Sequence, residues 1–313
     1  MRSQLNSWLE VDRIRAPFTI VYRSSQGNHM ETRNLRLGHH LVAFLDVLGQ
    51  RDRFRGLRMP TNVDEEARVK KVLEGTAGFV LDLRSEFQTL FEAFGKGANM
   101  GAHMNKLLRP NLVGFSDSFV ASVPLRNQDG DLVPAIASYS ALAAGAGVMR
   151  FSLAHKHPLR GGIDVGLATE IGPGEIYGTA LGRAYLLECE IAGYPRIMIG
   201  DELCNYLNSV MAEFGTRESP IAKAVTNITE KTTRLIATDT DGWRILDYLG
   251  AVMAEVSPPM YGQRVVQPAY GFVLAEQSRL TAEGDPKLIE RYASLRGYFE
   301  SRLSLWGLSA WKS

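Results

Sequence analysis

Cysteine is almost missing from this chain. Cys189 and Cys204 are the only two in 313 residues. They form no Cys-x-x-Cys pair and stand at no metal-ligand spacing, which excludes a disulfide framework and leaves both as structural thiols. An excess of one charge is missing too: Lys and Arg total 35 against 34 Asp and Glu. That balance excludes a general nucleic-acid or membrane-surface binder, so any anion site must be local. No apolar run approaches the ~20 residues of a spanning helix. The opening MRSQLNSWLEVDRIRAPF has no continuous apolar stretch of the kind a signal peptide carries. A cytoplasmic protein with no membrane span and no nucleic-acid partner is therefore expected. Repeats, low-complexity tracts and linkers are absent as well, and 45% hydrophobic with 22% charged residues is the composition of an ordinary globular protein.

What the chain does contain is a costly charge. In HHLVAFLDVLGQRDRFRG, which begins at His39, the residues from Leu41 to Gly49 are apolar or Gly except for Asp46. Such a run reads as a strand over 41–48, buried on both faces, where an ionised carboxylate is expensive unless something compensates it.

The elements that follow are ordered. Asn62 or Asp64 can cap a long helix with Glu65 and Glu66 in its first turn. Val69, Val72, Leu73, Thr76, Phe79, Val80, Leu83, Phe87, Leu90 and Phe94 recur at helical spacing until Gly95. Gly75 and Gly78 inside it each cost roughly 1 kcal/mol relative to Ala, which predicts close packing there. NLVGF and FVASVPL, joined through Ser116–Asp117–Ser118, read as a hairpin. Pro134 opens an Ala-rich helix, with His155 and His157 in its last turn. LRGGIDVGLATEIG returns as a strand that starts with Arg160, read as a structural strand-end cation.

Strand, helix, strand, strand, helix, strand is the β-α-β-β-α-β split unit of ferredoxin-like folds. Beyond it, EIYGTALGRAYLLECEIAG predicts a helix entered through a Gly-rich loop, PRIMIG a strand, and DELCNYLNSVMAEFG a helix. RLIATDTDGWRILDYLG predicts a hairpin turning at Asp241–Gly242, and 284–306 a final helix. Ahead of the unit, FTIVYRSS is a short strand and SSQGNHMETRN a loop. The expected division is a lead-in over 1–36, a catalytic domain over 37–262 and a helical extension over 263–313 packed on that domain.

In the split unit the first strand lies beside the hairpin strand, so Asp46 and Asp117 become neighbours. Two carboxylates at close range repel unless a cation lies between them. Mg²⁺ or Mn²⁺ is the natural filler, and two such ions suit phosphoryl transfer. The amides of Val47, Leu48 and Gly49 at the strand end are candidates for phosphate oxygens, with Arg51, Arg53 or Arg55 for the end of a polyphosphate. His39 and His40 have no ligand-spaced partner and are set aside as metal ligands.

FLDVLG, GFSDSFVAS, LRGGIDVG and EIYGTALGRAYLLECEIAGYPRIMI together resemble the successive landmarks of class III nucleotidyl cyclases over roughly residues 41 to 200. The resemblance implies a class III cyclase fold in which Asp46 and Asp117 hold two metal ions. In that chemistry the 3′-hydroxyl of a nucleoside triphosphate attacks its own α-phosphate and pyrophosphate leaves. It further implies a head-to-tail homodimer with active sites at the interface, completed by the 171–187 segment of the other subunit. The chain departs from the family at four places. Val113 replaces the Lys or Glu before the hairpin aspartate, Glu175 falls at the base-reading position, and Gly182 and Leu186 replace the transition-state Asn and Arg.

The YGTALGRAYLLE run followed by Tyr-Pro-Arg is most similar to bacterial Pycsar pyrimidine cyclases of antiphage defence. That similarity implies UTP as substrate, with CTP or an inactive nucleotide-binding module as alternatives. Arg183 is then the candidate for charge at the α-phosphate, or otherwise a surface salt bridge. Glu175 is the candidate for a hydrogen bond to the base and Tyr177 for stacking on it, or for the core. A palm-type polymerase or dinucleotide cyclase shares the fold and metal pair, but GFSDSF does not match the GG(D/E)EF-like hairpin of the latter.

Overall fold

The computed structural model describes residues 18–23, 30–97, 109–125, 134–172 and 174–310. Strands β1 (Phe18–Arg23) and β2 (Met30–Leu35) pair antiparallel in a small sheet of their own. METRN is therefore strand rather than loop: Thr32 pairs with Val21 and Arg33 with Ile20, so cross-strand partners override its polar composition.

The split unit follows. It comprises β3 (Gly38–Val47), α1 (Gln50–Arg55), α2 (Val63–Gly97), β4 (Asn111–Phe115), β5 (Ser118–Pro124), α3 (Pro134–Ala154) and β6 (Leu159–Gly172). Its strands lie in the order β4-β5-β3-β6, each antiparallel to its neighbour. The fold is α+β with a mixed sheet. β7 (Glu175–Gly178) pairs back on β6, α4 (Thr179–Leu186) runs into a π-helical turn at Leu187–Ile191, and β8 (Ile197–Ile199) joins β6 in parallel. Then come α5 (Asp201–Phe214), α6 (Pro220–Thr233), β9 (Ile236–Thr238), β10 (Arg244–Leu246) and α7 (Ala251–Val256). A π-helical turn at Gly262–Val266 leads into α8 (Gln267–Glu283), followed by α9 (Pro286–Glu300) and a 3₁₀ turn, Leu303–Trp306.

Local signals account for most boundaries. Asn62, not Asp64, caps α2, accepting from the Glu65 amide at 2.9 Å while Glu65 accepts from the Thr61 amide at 2.8 Å. The helix passes Gly95 and ends at Gly97. α3 stops at Ala154, so His155 and His157 lie just beyond it, and the His157 ring stacks 3.9 Å from Phe79. The close packing expected at Gly75 and Gly78 is not found: a Cβ at either would meet nothing within 4 Å. Glu175–Tyr177, expected at the mouth of a helix, instead forms a strand against β6.

Every residue from 135 to 150 is buried, because α3 is enclosed by the sheet and by α2, α6 and α8. A helix apolar all round must be covered all round. One cluster of buried apolar side chains extends from Leu41 on β3 to Leu303 beyond α9. Beside β8, Arg196 is buried between Asp239 and Asp241, at 2.6 Å from each, and also donates to the carbonyls of Ala192 and Ile191.

Candidate active site

Alternation along β3 decides what reaches each face of the sheet. Leu41, Ala43, Leu45 and Val47 enter the main core, while Val42 clusters on the opposite face with Ala168, Ile176, Ala180 and Ala184, where Phe44 also packs. α4 lies directly on that face because β6 offers glycines beneath it. A Cβ at Gly162 would fall 2.2 Å from the Ala184 carbonyl oxygen, and one at Gly166 2.8 Å from the Ala180 nitrogen.

Asp46 belongs to this second face, at the end of β3, paired in register with Ser118 of β5 and Arg160 of β6. The two-residue hairpin turn carries Asp117, whose carbonyl accepts the Val47 amide at 3.1 Å. Ser116 beside it takes the left-handed conformation, φ 56°, uncommon for a residue with a Cβ. The structure therefore brings Asp46 and Asp117 to one end of the sheet.

The same end holds two residues that the sequence pattern did not single out for this role. Arg160 Nη2 lies 3.8 Å from Asp46 Oδ2, and Arg160 Nε donates to Glu188 Oε1. Glu188 is 3% exposed, in the π-helical turn after α4. Burial raises its carboxyl above the usual range, Arg160 pulls it back, and the negative charge of Asp117 raises it again. Arg160 is thus a shared counter-ion for Asp46 and Glu188. It answers the charge at Asp46 that the sequence left unexplained.

The remaining candidates are dispersed. The amides of Val47 and Leu48 are engaged by the carbonyls of Asp117 and Pro158, so neither is left for a phosphate. Gly49, φ +83°, opens α1 in a conformation that favours glycine. The side chains of Arg51 and Arg53 lie outside the described residues. Arg183 does not turn to the aspartates: it donates to the Val165 carbonyl at 3.2 Å and lies 3.9 Å from Glu202. Glu175 is exposed on β7, and Tyr177, 68% exposed, is not core; its neighbour Ile176 is the residue that turns inward. Phe115, Tyr185 and Leu186 are also exposed, and Tyr185 packs edge-on against Phe44 at 5.4 Å.

Between Gly162 and Gly166 of β6, Asp164 is buried and accepts the Leu203 amide at the start of α5 at 2.9 Å. Burial pushes its pKa up to about 6, against the pull of the Val165 and Leu203 amides and of Arg183. Between the unfolded value of about 3.9 and this one, the native state holds a proton that the unfolded state has lost. Stability contributed here is therefore full at low pH and falls as pH rises to about 6. Asp164→Asn keeps an acceptor for Leu203 and removes the titration. Its stability relative to the parent, measured by urea unfolding, is expected to increase by about 2–3 kcal/mol between pH 4 and pH 7; a constant difference would contradict the assignment.

Carboxylate oxygens are hard donors suited to Mg²⁺ or Mn²⁺, which take one or two carboxylates and complete their shell with water and phosphate. Among the described residues no group of three or more His, Cys, Asp or Glu side chains is placed to hold a metal by itself. The two aspartates fit only an ion shared with a phosphate ligand. No described helix is long and apolar enough to cross a membrane. The chain matches no protein-family model and no curated protein.

Proposed function

We propose that this protein is a class III nucleotidyl cyclase that converts UTP to 3′,5′-cyclic UMP and pyrophosphate. It would act as a homodimer and make a second messenger for antiphage defence. The observation that carries the reading is the junction of β3 with the hairpin turn in a split β-α-β-β-α-β sheet, where the Asp117 carbonyl accepts the amide next to Asp46 and Arg160 lies 3.8 Å from the Asp46 carboxylate. Mg²⁺ or Mn²⁺, two ions per site when bound, would supply charge neutralisation at the phosphates.

The chain's own groups supply the rest. Asp46 and Asp117 provide the oxygen donors. Arg160, held from behind by Glu188, exchanges its contact with Asp46 for a phosphate oxygen. Attack of the 3′-oxygen on the α-phosphorus forms one P–O bond, the bond to pyrophosphate breaks, and the 3′-hydroxyl proton passes to water. The exposed Phe115, Tyr185 and Leu186 around this end are an apolar surface that a second subunit would cover.

Val113, on β4 where an adenine-reading Lys would stand, favours a pyrimidine. The inactive nucleotide-binding module is the second reading, favoured by Gly182 and Leu186 and by the engagement of Arg183 with Glu202. Purified protein incubated with each of ATP, GTP, CTP and UTP plus Mn²⁺ separates them. A cyclic product from UTP alone is expected. Cyclic CMP would change the base assignment, and no product from any nucleotide would overturn catalysis.

A further inference from the structure

Tyr185 stands in the row of side chains next to Asp46. The pairing of β3 with β6 sets the rows, with Arg160 opposite Asp46 and Gly162 opposite Phe44. A strand advances about 3.3 Å per residue and alternates faces, so Phe44 and Asp46 project from one face about 7 Å apart. Gly162 lets α4 and the π-helical turn lie on these rows: a Cβ there would fall 2.2 Å from the Ala184 carbonyl oxygen and 3.1 Å from the Glu188 nitrogen. Glu188 therefore meets Arg160 in the row of Asp46. Tyr185, three residues earlier, meets Phe44 in the next row, edge-on at 5.4 Å.

The other exposed positions of 182–186 leave no free polar side chain here. Gly182 has none, Leu186 is apolar, and Arg183 is engaged with the Val165 carbonyl and Glu202. Tyr185 is 48% exposed, and its hydroxyl makes no hydrogen bond among the described residues. Its ring rests on Phe44 as part of the apolar surface, and its oxygen is left for a ligand. A phenol both donates and accepts, which suits it to another hydroxyl.

We propose that Tyr185 hydrogen-bonds the ribose 2′-hydroxyl of the nucleotide held at Asp46 and Asp117 of the same chain, and so selects ribonucleotides over 2′-deoxyribonucleotides. The inference rests on the cyclase reading, which puts the attacking 3′-oxygen beside those aspartates. The 2′-hydroxyl is on the adjacent carbon of the sugar, so a group one row along the sheet from Asp46 meets it. Like the phenol, it is donor and acceptor at once. A bound nucleotide makes this contact whether or not it turns over.

The test compares 3′-deoxy-UTP with 2′,3′-dideoxy-UTP, which differ only at the 2′-position and cannot cyclise. Their affinities in the presence of Mn²⁺ are measured by calorimetry on the full chain, for the parent and for Tyr185→Phe, alongside turnover of UTP. The parent is expected to bind 3′-deoxy-UTP about tenfold more tightly than the dideoxy compound, the size of one hydrogen bond. Tyr185→Phe keeps the ring and its packing, and is expected to bring the ratio below about twofold by weakening 3′-deoxy-UTP alone. A ratio unchanged by Tyr185→Phe, or equal affinities in the parent, would overturn the assignment even if UTP is cyclised. The expected ratios without product from UTP would overturn the cyclase reading and leave the ribose contact standing. Binding of neither nucleotide would overturn both.

Discussion

Asp46→Asn is expected to lower cyclic nucleotide formation by about a thousandfold, the equivalent of roughly 4 kcal/mol of transition-state stabilisation. Asp117→Asn is expected to do the same. The substitution keeps the shape of the side chain and removes one charged oxygen donor from a site that has few. Asp46 is partly exposed, and Arg160, an ion-pair partner, retains Glu188, so the fold should tolerate the change. Unchanged elution on size exclusion together with lost product identifies a chemical role. Product at a tenth of the parent rate or more from either variant would contradict it.

The largest effect on stability is expected at Arg196. Its guanidinium meets Asp239 and Asp241 at 2.6 Å and the carbonyl of Ala192 at 2.7 Å, and it stacks 4.3 Å from the Tyr194 ring. Methionine there would leave the buried Asp239 without its cation. Breaking a buried pair from one side costs about 3–5 kcal/mol, a large part of the ~5–15 kcal/mol that holds a typical fold together. A fall of roughly 10 °C in Tm is expected on the scale of this chain. Arg196→Lys should recover less than half of it, because one ammonium cannot reach acceptors that a planar fork meets on several edges. A loss below about 1 kcal/mol in urea unfolding would show that the network contributes little.

The order of β3, the hairpin and β6 was legible because each strand carries β-branched or aromatic residues and ends at a turn signal. That order alone placed Asp46 beside Asp117. Helix α6 was not legible. Its buried face is Ala222, Val225, Thr229 and Thr232, and two of these are hydroxylated residues that satisfy themselves by donating to the carbonyls of Val225 and Ile228. Half of the apolar period is thereby hidden. Arg160 was visible as a strand-end cation, but its place opposite Asp46 comes from the β3–β6 register, which joins residues far apart in sequence. Glu188 sits in Leu-Glu-Cys-Glu, a pattern that reads as a solvated helix. The π-helical turn and the close approach allowed by Gly162 account for its burial, and neither is a local property. Arg183 was singled out by its place one residue from Gly182; its contacts within its own chain, with Glu202 and the Val165 carbonyl, come from the packing of α4 on β6 and are not a local property of the sequence.

Whether Asp46 and Asp117 together hold a metal–nucleotide complex is read most directly by electron paramagnetic resonance of Mn²⁺ titrated into the protein with 3′-deoxy-UTP, which binds but cannot cyclise. A bound Mn²⁺ signal that requires the nucleotide, and that disappears in both Asp46→Asn and Asp117→Asn, is the expected result. Binding that persists unchanged in either variant would contradict the account.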